Sequence, residues 1–110
     1  DIVAYPPDVR APIANVNWIN EVGDPAPGAR KPILQVNSIY AMYRAVESGL
    51  GIAALPDFLV DGSKELTRVL PDVDGPKVDA YFVYAEELRH SKRIAVFRDF
   101  LVKKVAESAF

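Results

Sequence analysis

Cysteine is absent from the 110 residues, which excludes disulfides, thiolate metal sites and a cysteine nucleophile. Such a chain fits a reducing compartment. Positive charge is not in excess either, since 13 Lys and Arg stand against 15 Asp and Glu, for a net charge of −2. With no basic face to neutralise phosphates, the chain is not expected to bind nucleic acid by itself. No apolar run approaches the roughly 18 residues of a membrane span. The N-terminus has neither a basic n-region nor a hydrophobic h-region, so a soluble chain with no membrane partner is expected. Internal repeats and low-complexity tracts are also missing.

What is present has the balance of an ordinary globular protein: 50% hydrophobic and 25% charged residues in a length that suits one domain. The chain starts at Asp1 without an initiator methionine and enters an apolar Ile2-Val3-Ala4 run directly, which reads as a cut inside a larger protein. Its most informative stretch is Lys31-Pro-Ile-Leu-Gln-Val-Asn-Ser-Ile-Tyr-Ala-Met-Tyr-Arg-Ala-Val-Glu-Ser-Gly-Leu-Gly-Ile-Ala-Ala-Leu-Pro56. Residues 33–36 are a buried strand candidate, and Asn37 or Ser38 can cap the helix that follows. Ile39, Met42, Tyr43, Val46 and Leu50 recur at helical spacing, with Arg44, Glu47 and Ser48 on the other side. Gly49 supplies a left-handed end. Residues 52–55, small and uncharged, suit a central strand covered on both faces. Strand, helix and strand make a βαβ unit, and a parallel sheet of such units places its ligand crevice outside the carboxyl ends of the strands.

Elsewhere, residues 2–5 predict a short strand ended by Pro6-Pro7, and residues 16–19 a further strand. The turn formers of 23–28 mark an exposed connection. Pro56-Asp57 opens a short helical turn through Val60. Residues 66–70 predict a strand stopped by Pro71, and 78–84 another, with Val78, Ala80, Phe82 and Tyr84 on one face. Ser91 caps a long final helix striped by Ile94, Phe97, Leu101 and Val105, with Phe100 beside it. The pattern as a whole predicts an α/β domain with a mixed, partly parallel sheet.

Several landmarks carry a family likeness: Val36-Asn-Ser38, the helix, Ser48-Gly-Leu-Gly-Ile-Ala-Ala-Leu-Pro-Asp-Phe-Leu-Val60, Leu66-Thr-Arg-Val-Leu-Pro71, Ala80-Tyr-Phe-Val-Tyr-Ala85 and Ser91-Lys-Arg-Ile-Ala-Val-Phe-Arg-Asp-Phe-Leu101. In order and spacing they resemble the C-terminal half of the effector-binding domain of LysR-type bacterial transcription regulators. Trp18, ahead of the βαβ unit, matches many members. The resemblance covers nearly the whole chain. It implies a periplasmic-binding-protein-like lobe, the second regulatory subdomain, with residues 1–5 and 80–85 as crossover strands and 6–79 as the lobe. Residues 91–108 would be a closing helix that belongs to the missing first lobe. It further implies a cytoplasmic, homo-oligomeric parent that contacts DNA only through a helix-turn-helix outside this chain. No enzymatic activity and no cofactor are expected.

The resemblance places an effector between the lobes, and the residues independently select one wall. Asn37 and Ser38 fall where a strand ends and a helix begins, so free backbone N–H groups and the positive helix end suit a carboxylate. Val36 and Ile39 flank them. Leu55-Pro56 ends the neighbouring parallel strand on the same edge and forms the second wall. Capping alone accounts for Asn37 or Ser38, strand termination in the core accounts for Leu55 and Pro56, and a cap side chain can also line a pocket. The reading from another class is a lobe of a solute-binding receptor or of an enzyme with a similar two-lobed fold.

The remaining conspicuous residues point away from chemistry. His90 is the only histidine and has no second ligand at metal spacing, so it reads as a solvated loop residue. Glu86-Glu87 are adjacent, point apart and have no nucleophile to serve. Tyr40 and Tyr43 read as packing around the helix, and Lys103-Lys104 as charges offsetting the dipole of the last helix. That helix carries Ile94, Phe97, Phe100 and Leu101 toward a lobe the chain lacks. Each such side chain is worth about 1.5–3 kcal/mol when fully buried, so the helix is expected to fold onto its own sheet or to drive self-association.

Overall fold

A computed structural model describes residues 1–108. The chain divides into two compact units, residues Asp1–Val78 and the residues from Asp79 onward.

The first unit is α/β. Strands β1 (Val3–Ala4) and β2 (Leu34–Gln35) pair in parallel, Val3 with Leu34 and Ala4 with Gln35. The ladder extends one bond each way, from Ile33 N–H to Ile2 O and from Val36 N–H to Ala4 O. On its other side β1 meets Ile52 in a parallel bridge, through Val3 N–H to Ile52 O (2.9 Å) and Ile52 N–H to Asp1 O (3.0 Å). The centre of the sheet is therefore β1, not residues 52–55, which form this bridge and no strand. Val3, Ala4 and Tyr5 are buried as a central strand demands, whereas Ile52 is exposed.

Helix α1 (Ile39–Glu47) crosses from β2 to the Ile52 segment and packs on β1. Val3 and Tyr5, two apart on one face of the strand, form the core with Met42 and Ala45 of the helix. Ile39, Val46, Leu34, Val36, Ala53 and Leu55 surround it. The predicted stripe holds at 39, 42 and 46; Leu50 lies beyond the helix and is exposed. Gly49 has φ 86°, the left-handed end the sequence calls for. Helix α2 (Asp57–Val60) is the short turn expected after Pro56.

Residues 16–19 are not a strand. They lead into a 3-10 turn, Trp18–Asn20, and the cause is the Asn17 side chain. Its Oδ1 accepts from Tyr5 N–H (2.9 Å) and its Nδ2 donates to Tyr5 O (2.7 Å), so one amide does what a neighbouring strand would have done. Residues 66–70 are not a strand either. Arg68 turns back on its own segment, donating to Val73 O (3.0 Å) and the Asp74 carboxylate (2.9 Å).

Residues 78–84, which run from the end of the first unit into the second, form no ladder among the described residues. A strand exists only with a ladder partner, and alternation alone does not provide one. Of the predicted face only Phe82 is half-buried, touching Tyr84 (ring centroids 5.6 Å) and meeting Phe97 edge-on (5.8 Å); Val78, Ala80 and Tyr84 are exposed, as are Tyr81 and Val83. Helix α3 (Lys92–Glu107) starts at Ser91 as expected, although the Ser91 side chain makes no capping bond. None of its residues is buried; Phe97 and Phe100 keep 52% and 53% of their surface open.

Candidate functional site

All three parallel segments point their carboxyl ends the same way, so Tyr5, Val36 with Asn37, and Ala53 to Leu55 share one edge of the first unit. Carrying the register forward puts Tyr5 level with Val36 and Leu55. The six predicted wall residues do reach this edge, in two groups on either side of β1. Val36, Ile39 and Leu55 are half-buried against the core, Pro56 precedes α2, and Asn37 and Ser38 are exposed.

Ser38, not Asn37, caps α1. Its backbone is extended (φ −142°, ψ 123°), its Oγ accepts from Ala41 N–H at 3.3 Å, and its carbonyl accepts from Met42 N–H at 3.0 Å. The N–H groups of Ile39 and Tyr40 keep no partner among the described residues, and the Ser38 hydroxyl proton remains free to donate. Asn37 is held through its backbone. The Tyr5 hydroxyl donates to Asn37 O at 3.0 Å, and among the described residues the exposed Asn37 side-chain amide makes no hydrogen bond. The edge thus offers two open backbone donors, a hydroxyl and a carboxamide at the positive end of a nine-residue helix, a set that suits an anion.

Sequence reasoning missed Tyr5 and Asn17, which lock this corner. The signal was slight: a tyrosine closing a strand just before Pro6-Pro7, and an asparagine in a polar turn.

One turn further along, α1 carries a charged outer cluster. The Tyr43 hydroxyl donates to Glu47 Oε1 at 2.8 Å, and Arg44 Nη1 lies 2.6 Å from Glu47 Oε2. The Glu47 hydrogen bond, followed by desolvation, holds the Tyr43 phenol above its ordinary pKa, against smaller opposing effects of Ser63 and Arg44. The Tyr40 and Tyr43 rings stack on each other at 5.8 Å.

A cavity of about 510 Å³ opens in the first unit at the same end of β1, lined by Tyr5, Val9, Ile13, Trp18, Glu21 and Pro76 among others. None of the six predicted residues lines it.

In the second unit Glu86–Leu88 is a 3-10 turn, where the sequence reads as loop. His90 is exposed and accepts from Arg89 Nε at 3.1 Å. Among the described residues no group of three or more His, Asp or Glu side chains converges in a way that could hold a metal, and no helix is long and apolar enough to cross a membrane.

Residues 3–106 match a protein-family model described as the LysR substrate binding domain. Searches of curated proteins and of solved structures gave no match.

Proposed function

Because the chain belongs to the LysR substrate binding domain family, which serves transcription regulators, we propose that it senses a small-molecule effector through the carboxyl edge of its parallel strands. The observation that carries the reading is the α1 N-terminus. Ser38 caps the helix with a lone pair and keeps a proton to give, beside the open N–H groups of Ile39 and Tyr40. A carboxylate effector would accept from these groups and from Asn37, with Val36 and Ile39 behind it and Leu55 and Pro56 as the second wall.

In this reading residues 6–79 are the second lobe of a two-lobed domain and residues 1–5 and 80–85 its crossover strands. Residues 91–108 close on the first lobe, which fits an α3 stripe with no buried member. The effector shifts the relation of the lobes, and a homo-oligomeric cytoplasmic parent passes the shift to helix-turn-helix domains on DNA. The role is regulatory, as the family is, with no cofactor.

A thermal-shift screen of small mono- and dicarboxylates tests it. At least one should raise the unfolding midpoint, and Ser38→Ala should weaken that response. The substitution should cost about 1 kcal/mol of stability through the lost cap, measured without ligand. An unchanged carboxylate response in Ser38→Ala removes Ser38 from the site, and a screen without any responder removes the edge.

A further inference from the structure

The cavity beside Trp18 shares Tyr5 with the Ser38 edge but none of the six wall residues, and it has a chemistry of its own. Its walls mix apolar side chains, Val9, Ile13, Pro76 and the Trp18 indole, with polar groups. Among the described residues that line it, Glu21 alone is charged. No Lys, Arg or His stands within ion-pair distance of that carboxylate.

Trp18 and Glu21 bracket the 3-10 turn Trp18–Asn20, and Glu21 N–H donates to Trp18 O at 3.1 Å. Residues three apart eclipse in a 3-10 turn, so the indole and the carboxylate rise on one side of the backbone. The indole is also fixed from behind. A Cβ built on Gly75 would lie 2.8 Å from two of its ring atoms, so only glycine fits under the ring.

We propose that this cavity binds a small organic ammonium, the cation resting between the Trp18 ring and the Glu21 carboxylate with its apolar body against Val9, Ile13 and Pro76. Tryptophan is the ring that attracts a cation best. An anion would meet the unpaired carboxylate as a like charge, and a neutral apolar guest would desolvate it without a partner. A bare divalent ion finds one carboxylate where such ions take six or more oxygens. A cavity of about 510 Å³ holds a molecule of the size intended.

The probe is 2-phenylethylammonium, compared with the near-isosteric neutral 2-phenylethanol and with the anion phenylacetate. Trp18 is the sole tryptophan, so its emission reports the site directly, and calorimetry gives the affinity. The ammonium should bind saturably and about tenfold more tightly than the alcohol, with phenylacetate weakest. Glu21→Gln should bring the ammonium down to the level of the alcohol. Among the described residues the Glu21 carboxylate makes no hydrogen bond or ion pair, so this variant keeps the far-ultraviolet dichroism of the wild type. Ser38→Ala should leave the titration unchanged, which separates this site from the carboxylate edge. Absence of saturable ammonium binding, an alcohol or phenylacetate that binds as tightly, or full affinity in Glu21→Gln would each overturn the proposal.

Discussion

Replacing Gly51 by alanine places a Cβ 2.5 Å from the carbonyl oxygen of Asp1, with the Asp1 carbonyl carbon at 3.0 Å and its Cβ at 3.2 Å. Ordinary contact begins at 3.4 Å, so the two backbones must separate by 3.4 − 2.5 = 0.9 Å. The same oxygen accepts from Ile52 N–H at 3.0 Å, and a shift of that size along the bond carries it past the 3.5 Å limit of a hydrogen bond. Its partner, Val3 N–H to Ile52 O at 2.9 Å, opens with it. Two backbone hydrogen bonds at about 0.5–1.5 kcal/mol each put the loss at about 1–3 kcal/mol. With a urea slope of about 1–3 kcal/mol/M, the midpoint should fall by roughly 1 M, read from Trp18 emission and far-ultraviolet dichroism together. Gly49→Asn is the control. No atom lies within 4 Å of a Cβ there, and asparagine tolerates the left-handed φ of 86°, so its midpoint should move far less. If Gly51→Ala unfolds with the wild type, or Gly49→Asn falls as far, then the Asp1 to Ile52 bridge does not hold the sheet.

Glu47→Gln should lower the Tyr43 pKa toward its ordinary value, measured by ultraviolet titration of the phenolate against a Tyr43→Phe blank, since the Glu47 bond is the main cause of the rise. The sign for stability follows: a raised phenol pKa favours the neutral form in the fold, so this contribution is complete below the unfolded phenol pKa and is lost as pH climbs through the folded one. The open stripe of α3 should drive self-association of the chain in sedimentation velocity, and Phe97→Ser with Phe100→Ser should shift it to monomer without loss of helix. A wild type that sediments only as monomer contradicts this.

The parts of the fold legible in the sequence are those fixed within a few residues. Ser38 caps α1 because an oxygen three positions before Ala41 N–H can reach it, and Gly49 ends the helix because φ 86° suits glycine. The stripe at 39, 42 and 46 depends only on helical spacing. What failed depends on distant partners. Residues 66–70 and 78–84 alternate or run apolar as strands do, yet find no ladder among the described residues. Residues 16–19 bend because Asn17 reaches the Tyr5 backbone twelve positions earlier. The central place of β1 could not be read from Ile2-Val3-Ala4, since strand order is decided by which segments pair on either side. At the Ser38 edge Val36 and Ser38 were legible as the end of the β2 ladder and the cap of α1, while Leu55 and Pro56 follow no strand; the Trp18 cavity draws on residues from 5 to 76 and left only the Trp18 and Glu21 spacing as a trace.

A central strand whose partners both follow it in sequence also governs how the sheet is made in time. Ile2 pairs at the level of Ile33 and with Ile52, separations of 33 − 2 = 31 and 52 − 2 = 50 residues. Helix α1 needs only its own neighbours and forms in about a microsecond, but every sheet bond must wait for a long loop to close. Refolding should therefore pass through chains that hold α1 while β1 is still unpaired, and its slow step should be the entry of β1 between two segments that follow it in sequence.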